Sequence, residues 1–299
     1  MSDQYQEFRN YSATPDELVS GIVSLVSLPE VYLRVNEMLD DPNTTAKAIG
    51  KVLSQDTGLT ARLLRVANNP LYGYTAKVDT VSRAVSVVGL RELRKLVLSA
   101  SAMENFSKIP SDVLNMVRYW RHSVYCGVVA QLLAERCNVL HSERLFIAGL
   151  LHDIGKLVIA ERTPNQARES IEVSAEKSIL DFEAEKLVMG YNHSEIGGKL
   201  LRAWRMPSTL CDAVEFHHEP LKAKNALIET CLVHIANAMT GMAERGLDAD
   251  NDMMIEPVVD EAWKITGLDE SIIESVLLEA GPLFTESLES ILPRSYQSY

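Results

Sequence analysis

The stretch GLLHDIGKL, residues 149–157, sets a histidine and an aspartate side by side inside an apolar run, with a lysine three residues beyond the aspartate. An imidazole and a carboxylate are both metal ligands. Adjacent side chains on a helix diverge by about 100°, so His152 and Asp153 cannot face the same way on a regular helix. Two short side chains beside one inter-helix cleft can still reach a common ion, and two ions bridged by Asp153 satisfy the same geometry.

The surrounding sequence supplies more donors of the same kind. Of the seven histidines, His122 in YWRHS, His152, His193 in YNHSEIGG and the His217-His218 pair in EFHHEP are read at helix starts or ends in one half of the chain. Neutral imidazoles with a carboxylate suit iron, manganese or zinc, and soft thiolates are missing from the set. A lone histidine on an apolar helix is more often a hydrogen-bonded core residue, and His141 and His234 are read that way. Five imidazoles and an aspartate gathered in one lobe reverse that default.

Helical periodicity recurs along the chain, and no run of alternating β-branched residues points to a strand, so the fold class is all-α. Thr14-Pro15-Asp16-Glu17 reads as a capping box that opens a helix toward Leu28. LPEVYLRVNEMLDD, TTAKAIGKVLSQD and GLTARLLRVANN follow as helices. TVSRAVSVVGLRELRKLVLSASAMENF is a longer helical stretch broken near Gly89. Ile109-Pro110 marks a lobe boundary, giving an N-terminal helical lobe over 14–109, a second lobe over 110–245 and an acidic helical extension over 246–299. Helices of the second lobe fall near 111–137, 142–160, 165–174, 178–188, 193–204, 208–218 and 225–245.

Composition narrows the class further. A chain of 299 residues with 46% hydrophobic side chains can bury a sizeable core. Residues 250–299 carry 2 basic and 11 acidic groups within a net charge of −12, which argues against binding a phosphate backbone. No apolar stretch approaches the roughly 18 to 20 residues that span a bilayer, and MSDQYQEFRN has no signal-like apolar core, so a cytoplasmic location is expected. Cys126, Cys137, Cys211 and Cys231 form no CxxC pair and read as reduced structural thiols.

His152-Asp153-Ile154-Gly155-Lys156 resembles the signature of the HD phosphohydrolase superfamily, whose all-helical members bind one or two metal ions and hydrolyse phosphate esters. DTGLTARLLRVANNPLYGY, TVSRAVSVVGLRELRKLVL and HSEIGGKLLRAWRMPSTLCDAVEFHHEP resemble, stretch by stretch, the HDOD family, the HD-related output domain of bacterial signalling proteins, over about residues 20–240. The resemblance implies that His122, His152, Asp153, His193, His217 and His218 hold one or two divalent transition-metal ions, iron foremost, with manganese and zinc also suited. It implies that Lys156 contacts a substrate phosphate and that Asp153 and Lys156 serve catalysis, with hydroxide generated at the metal attacking phosphorus.

Two positions depart from the pattern. Asn237 in VHIANAM stands where the superfamily has a closing aspartate, so the ligand set loses a negative charge. Arg118 stands where two-metal relatives can carry a glutamate. The stretch EPLKAKNA after His218 lacks the GYP string associated with cyclic di-GMP hydrolysis. These departures favour a stand-alone regulatory module acting through contacts with signalling protein partners. The alternative is an active phosphohydrolase on a phosphoester or nucleotide. Neither nucleic acid nor a membrane is an expected partner.

Elsewhere, Asn68-Asn69-Pro70 reads as a helix end followed by a turn over Pro70–Gly73, and Arg91, Arg94 and Lys95 as a solvated basic face. Trp204 is expected to pack at a helix corner, and Gly197-Gly198 to admit a neighbouring helix.

Overall fold

The computed structural model describes residues 13–23, 30–68, 78–106, 109–247 and 254–291. The expected turn over Pro70–Gly73 lies outside the described residues, as does the far end of the helix read toward Leu28. Helices account for the regular structure, with no strand among the described residues. Contacts divide the chain into two compact units, residues 1–26 with 108–281 and residues 27–107 with 282–299.

Helix α1 (Pro15–Val23) opens with the expected capping box: the Thr14 amide donates to Glu17 Oε2 at 2.8 Å and the Glu17 amide to Thr14 Oγ1 at 3.3 Å. The smaller unit holds α2 (Glu30–Asp40), α3 (Ala46–Leu53), α4 (Thr57–Ala67), α5 (Val81–Val88) and α6 (Leu90–Asn105). Gly89 separates α5 from α6 at φ 81°, where an L side chain would be strained. Asn68 ends α4 as read, and its side-chain amide bonds the Leu64 and Val78 carbonyls, each at 2.7 Å. The basic face is not wholly solvated, since Lys95 is buried and bonds Glu92 at 2.9 Å.

In the larger unit run α7 (Met116–Arg136), α8 (Glu143–Leu151), α9 (Ile154–Arg162), α10 (Pro164–Lys177), α11 (Asp181–Met189), α12 (His193–Ala203), α13 (Ser208–Glu215) and α14 (Leu227–Leu247). After them come α15 (Asp260–Thr266) and α16 (Ile273–Ile291), the last running on past Gly281 and Pro282. The α7–α8 pair, flanked by α14, forms its core, where Trp120, Phe146, Leu133 and Leu150 are fully buried.

The division differs from the linear lobes read from the sequence in three places, the first being that residues 282–299, read within the extension, group with the smaller unit. Helix α1 packs on α12 and α9, so residues before the smaller unit belong with the larger one. Helix α15, assigned to the extension, packs against α14 and buries Ala262 completely.

Close helix approach is written in glycines. A methyl on Gly155 of α9 would overlap the His193 carbonyl oxygen, and methyls on Gly197 and Gly198 of α12 would meet Val214 and Glu215 of α13. Glycine therefore lets α9, α12 and α13 bring their ends together. Trp204 packs at the end of α12 with 6% of its surface exposed. Gly155→Ala is expected to lower stability by about 1–3 kcal/mol, because the backbone of α12 must move to relieve the overlap. Urea denaturation of the variant checks this, and an unchanged midpoint would contradict it.

Candidate metal centre

The helix read over 142–160 is in fact two helices. It breaks at the pair that opened the question: α8 ends at Leu151, Asp153 takes φ −95° and ψ 8°, and α9 begins at Ile154. The break removes the divergence a continuous helix would impose. His152 Nε2 and Asp153 Oδ2 lie 3.4 Å apart, both side chains buried.

The other candidates converge on the same aspartate. Asp153 Oδ1 is 3.0 Å from His193 Nε2 and 3.8 Å from His217 Nε2, and Oδ2 is 4.0 Å from His122 Nε2 and 2.9 Å from Lys156 Nζ. His218 Nε2 stands 2.9 Å from His193 Nε2. Two ligand groups result, Asp153 with His193, His217 and His218, and Asp153 with His122 and His152, the donor atoms of each lying within 4.8 Å of one another. All six sequence candidates are thus brought together. His193 opens α12 and the His217-His218 pair follows α13, as read, whereas His122 sits in the second turn of α7 rather than at a helix end.

Each imidazole is oriented through its other nitrogen. Nδ1 of His152 bonds the Gly149 carbonyl at 2.6 Å and that of His217 the Val214 carbonyl at 2.7 Å. Nδ1 of His193, His218 and His122 bonds Glu185 at 2.7 Å, Glu256 at 2.7 Å and Glu244 at 3.2 Å. A neutral ring with Nδ1 donating presents Nε2 as a lone pair toward the centre, the arrangement that fixes the tautomer of a metal-ligating histidine; His193 Nε2 lies 3.0 Å from Asp153 Oδ1 and His122 Nε2 3.1 Å from Asn237 Oδ1. The Nε2 atoms of His152 and His217 are buried without any hydrogen-bond partner. Two such orphaned acceptors are costly unless a cation lies against them. The residues present therefore fit a metal ion.

Electrostatics divide the imidazoles. Burial, with the neighbouring imidazoles, holds His217 and His218 well below the usual histidine range, and burial takes His152 down to about 4. Burial also opposes charge on His193, but Glu185 and Asp153 outweigh it and raise the ring to about 9. Asp153 resists its burial because His152, Lys156 and His193 surround it, and its carboxyl is held well below the usual range.

Glu185, Glu244 and Glu256 were not singled out in the sequence. Glu244 lies two turns after Asn237 on α14, a spacing that places both on one face. Glu185 and Glu256 carry no comparable local signal. His234 keeps the structural role expected of it: Nδ1 bonds the His217 carbonyl at 2.7 Å, and Nε2 accepts the Val259 amide at 3.1 Å. His141 is largely exposed, with Glu143 3.5 Å away.

The centre opens into a cavity of about 710 Å³ lined by Lys156, Arg118, His193 and His218 on the polar side and by Phe182 and Ile179 on the apolar side. Phe182 stacks on His218 with ring centroids 4.1 Å apart.

A sequence model of the HDOD domain matches residues 25–220. The chain belongs to the HDOD family. Among solved structures, an HDOD domain protein of unknown function from Geobacter sulfurreducens is 25% identical with a TM-score of 0.74, the match covering 94% of this HDOD chain and 97% of that one. A candidate phosphohydrolase from Shewanella amazonensis SB2B is 22% identical, with TM-score 0.71 and coverage of 94% and 98%. A candidate signal transduction protein from Marinobacter aquaeolei VT8 is 20% identical, with TM-score 0.76 and coverage of 96% and 63%. These last two share the fold. An uncharacterized protein of Treponema pallidum (strain Nichols) is 27% identical over 203 residues, which are 67% of this HDOD chain and 39% of that protein, so the chain spans well under half of that relative. Among the described residues, no helix is long and apolar enough to cross a membrane.

Proposed function

We propose that this HDOD protein binds two divalent transition-metal ions about Asp153 and hydrolyses a phosphate ester in the adjoining cavity. The observation that carries the reading is the single buried carboxylate shared by two groups of inward-turned imidazoles. His193, His217 and His218 would hold one ion with Asp153, and His122 and His152 the other. Bound ions of this kind polarise a phosphoryl oxygen and lower the pKa of water.

The chain's own residues supply the rest. Lys156, whose ammonium is kept charged by Asp153, Asp181 and Glu185 against the cost of burial, lines the cavity beside the centre and would donate to a phosphate oxygen. Arg118 reaches the same cavity and complements a second anionic oxygen. Phe182 and Ile179 offer an apolar wall to the organic part of the ester.

A second reading, regulation through a signalling protein partner with the centre binding its ligand without turnover, is favoured by Asn237. That neutral amide accepts no negative role and lies 3.1 Å from His122 Nε2. Elemental analysis of the purified protein, with turnover of a phosphoester panel under anaerobic iron or manganese, separates the two. We expect about two ions per chain, fewer in His152→Ala and His217→Ala, and hydrolysis that vanishes in His152→Ala. Stoichiometric metal with no turnover would favour the regulatory reading, and no metal at all would remove both.

A further inference from the structure

Beyond the six ligand candidates, two carboxylates, Glu244 and Glu256, approach the centre from outside the residues matched to the HDOD domain. Glu256 belongs to the segment 254–259 after α14, past the matched residues 25–220. Its side chain is only 10% exposed, and its Oε2 lies 2.7 Å from His218 Nδ1 and 3.4 Å from Asn237 Nδ2. The segment is tied to the ligand turn through His234, which accepts the Val259 amide and bonds the His217 carbonyl. Placement of Glu256 is thus coupled to the His217-His218 backbone.

We infer that Glu256 is a positioning residue for the centre, acting through His218. The inference rests on the metal-centre reading above. The group formed by Asp153, His193, His217 and His218 contains one carboxylate to balance a divalent ion. A carboxylate bonded to Nδ1 fixes the ring so that Nε2 faces the ion and makes that nitrogen a stronger donor. Glu256 does this for His218 while lying against the amide at position 237. Glu244 serves His122 in the same manner in the other ligand group, so the two glutamates act on different ions.

Titration of the metal-free full chain with Mn²⁺, followed by calorimetry and electron paramagnetic resonance, tests the assignment. Wild type should take two ions. Glu256→Gln should weaken one of them by about 10- to 100-fold and leave the other nearly unchanged. Glu256→Asp, which keeps the charge one methylene short, should show an intermediate loss and serves as the comparison if the glutamine variant folds poorly. Unchanged affinities or equal weakening of both ions would each overturn the inference while leaving the metal centre standing. A wild-type chain that takes no Mn²⁺ would end both.

Discussion

Asp153→Asn should empty both halves of the centre at once, taking bound metal from about two ions per chain to a small fraction of one. Among the described residues, no other single side chain belongs to both ligand groups. The amide keeps the shape of the carboxylate, so lost metal reports charge and donor strength rather than a cavity. By contrast, His217→Ala removes a donor from one group only and should leave the ion held by His122, His152 and Asp153. The same substitution also acts on the metal-free fold. Lys156 Nζ, 2.9 Å from Asp153 Oδ2 and one quarter exposed, would lose its nearest counter-charge within a buried setting. Breaking such a pair costs about 3–5 kcal/mol when burial is complete; partial exposure of Lys156 lowers that to about 2–3 kcal/mol. Metal analysis and urea denaturation of the chelated protein read the two effects separately. Retention of one full ion in Asp153→Asn would show that the carboxylate is not shared.

Much of this was legible in the sequence for a physical reason: ligand chemistry is confined to a few residue types, and apolar periodicity marks helices without reference to what they touch. Thr14 and Glu17 announce the first helix because a capping box is closed within four residues. His122, His152, Asp153, His193, His217 and His218 stand out because several imidazoles with one acid are rare in a helical half-chain. The break between α8 and α9 was not legible, since the apolar spacing of GLLHDIGKL, residues 149–157, continues a helix equally well, and the close packing of Gly155 on His193 is a tertiary contact. Glu185 and Glu256 were hidden for a related reason. Their partners lie eight and thirty-eight residues away, and nothing in an isolated glutamate says which imidazole it will meet. The docking of α1 on α12 and α9 is likewise a tertiary fact, written in complementary surfaces rather than in any local pattern.

Metal affinity should climb steeply as pH rises from about 6.5 to 8, because the metal-free centre holds protons that an ion must displace. His193 is raised to about 9 by Glu185 and Asp153 against its burial, and burial raises Glu256 to about 8. Both are therefore largely protonated at pH 7. A ligating imidazole must be neutral, and an ion at His218 favours the charged form of Glu256 bonded behind it. Each displaced proton makes affinity rise by about tenfold per pH unit, so a release of one to two protons per chain gives about 10- to 100-fold per unit, levelling off near pH 9. The sign for folding of the metal-free chain is opposite in this range. Groups whose folded pKa is raised contribute stability fully present below their unfolded values, near 6.5 for His193 and 4.3 for Glu256, and that stability is lost as pH climbs through about 9 and about 8. On the acid side, His152, His217 and His218 are lowered by burial, so below about pH 6.5 the unfolded chain takes up protons the folded one refuses, and stability falls again. The metal-free protein should accordingly be most stable near neutrality, while the loaded protein gains on it steadily up to pH 8. Calorimetric Mn²⁺ titrations in two buffers of different ionisation enthalpy count the released protons directly, and Glu256→Gln should remove up to one of them. An affinity that is flat between pH 6.5 and 8 would mean that His193 is already neutral before the ion arrives.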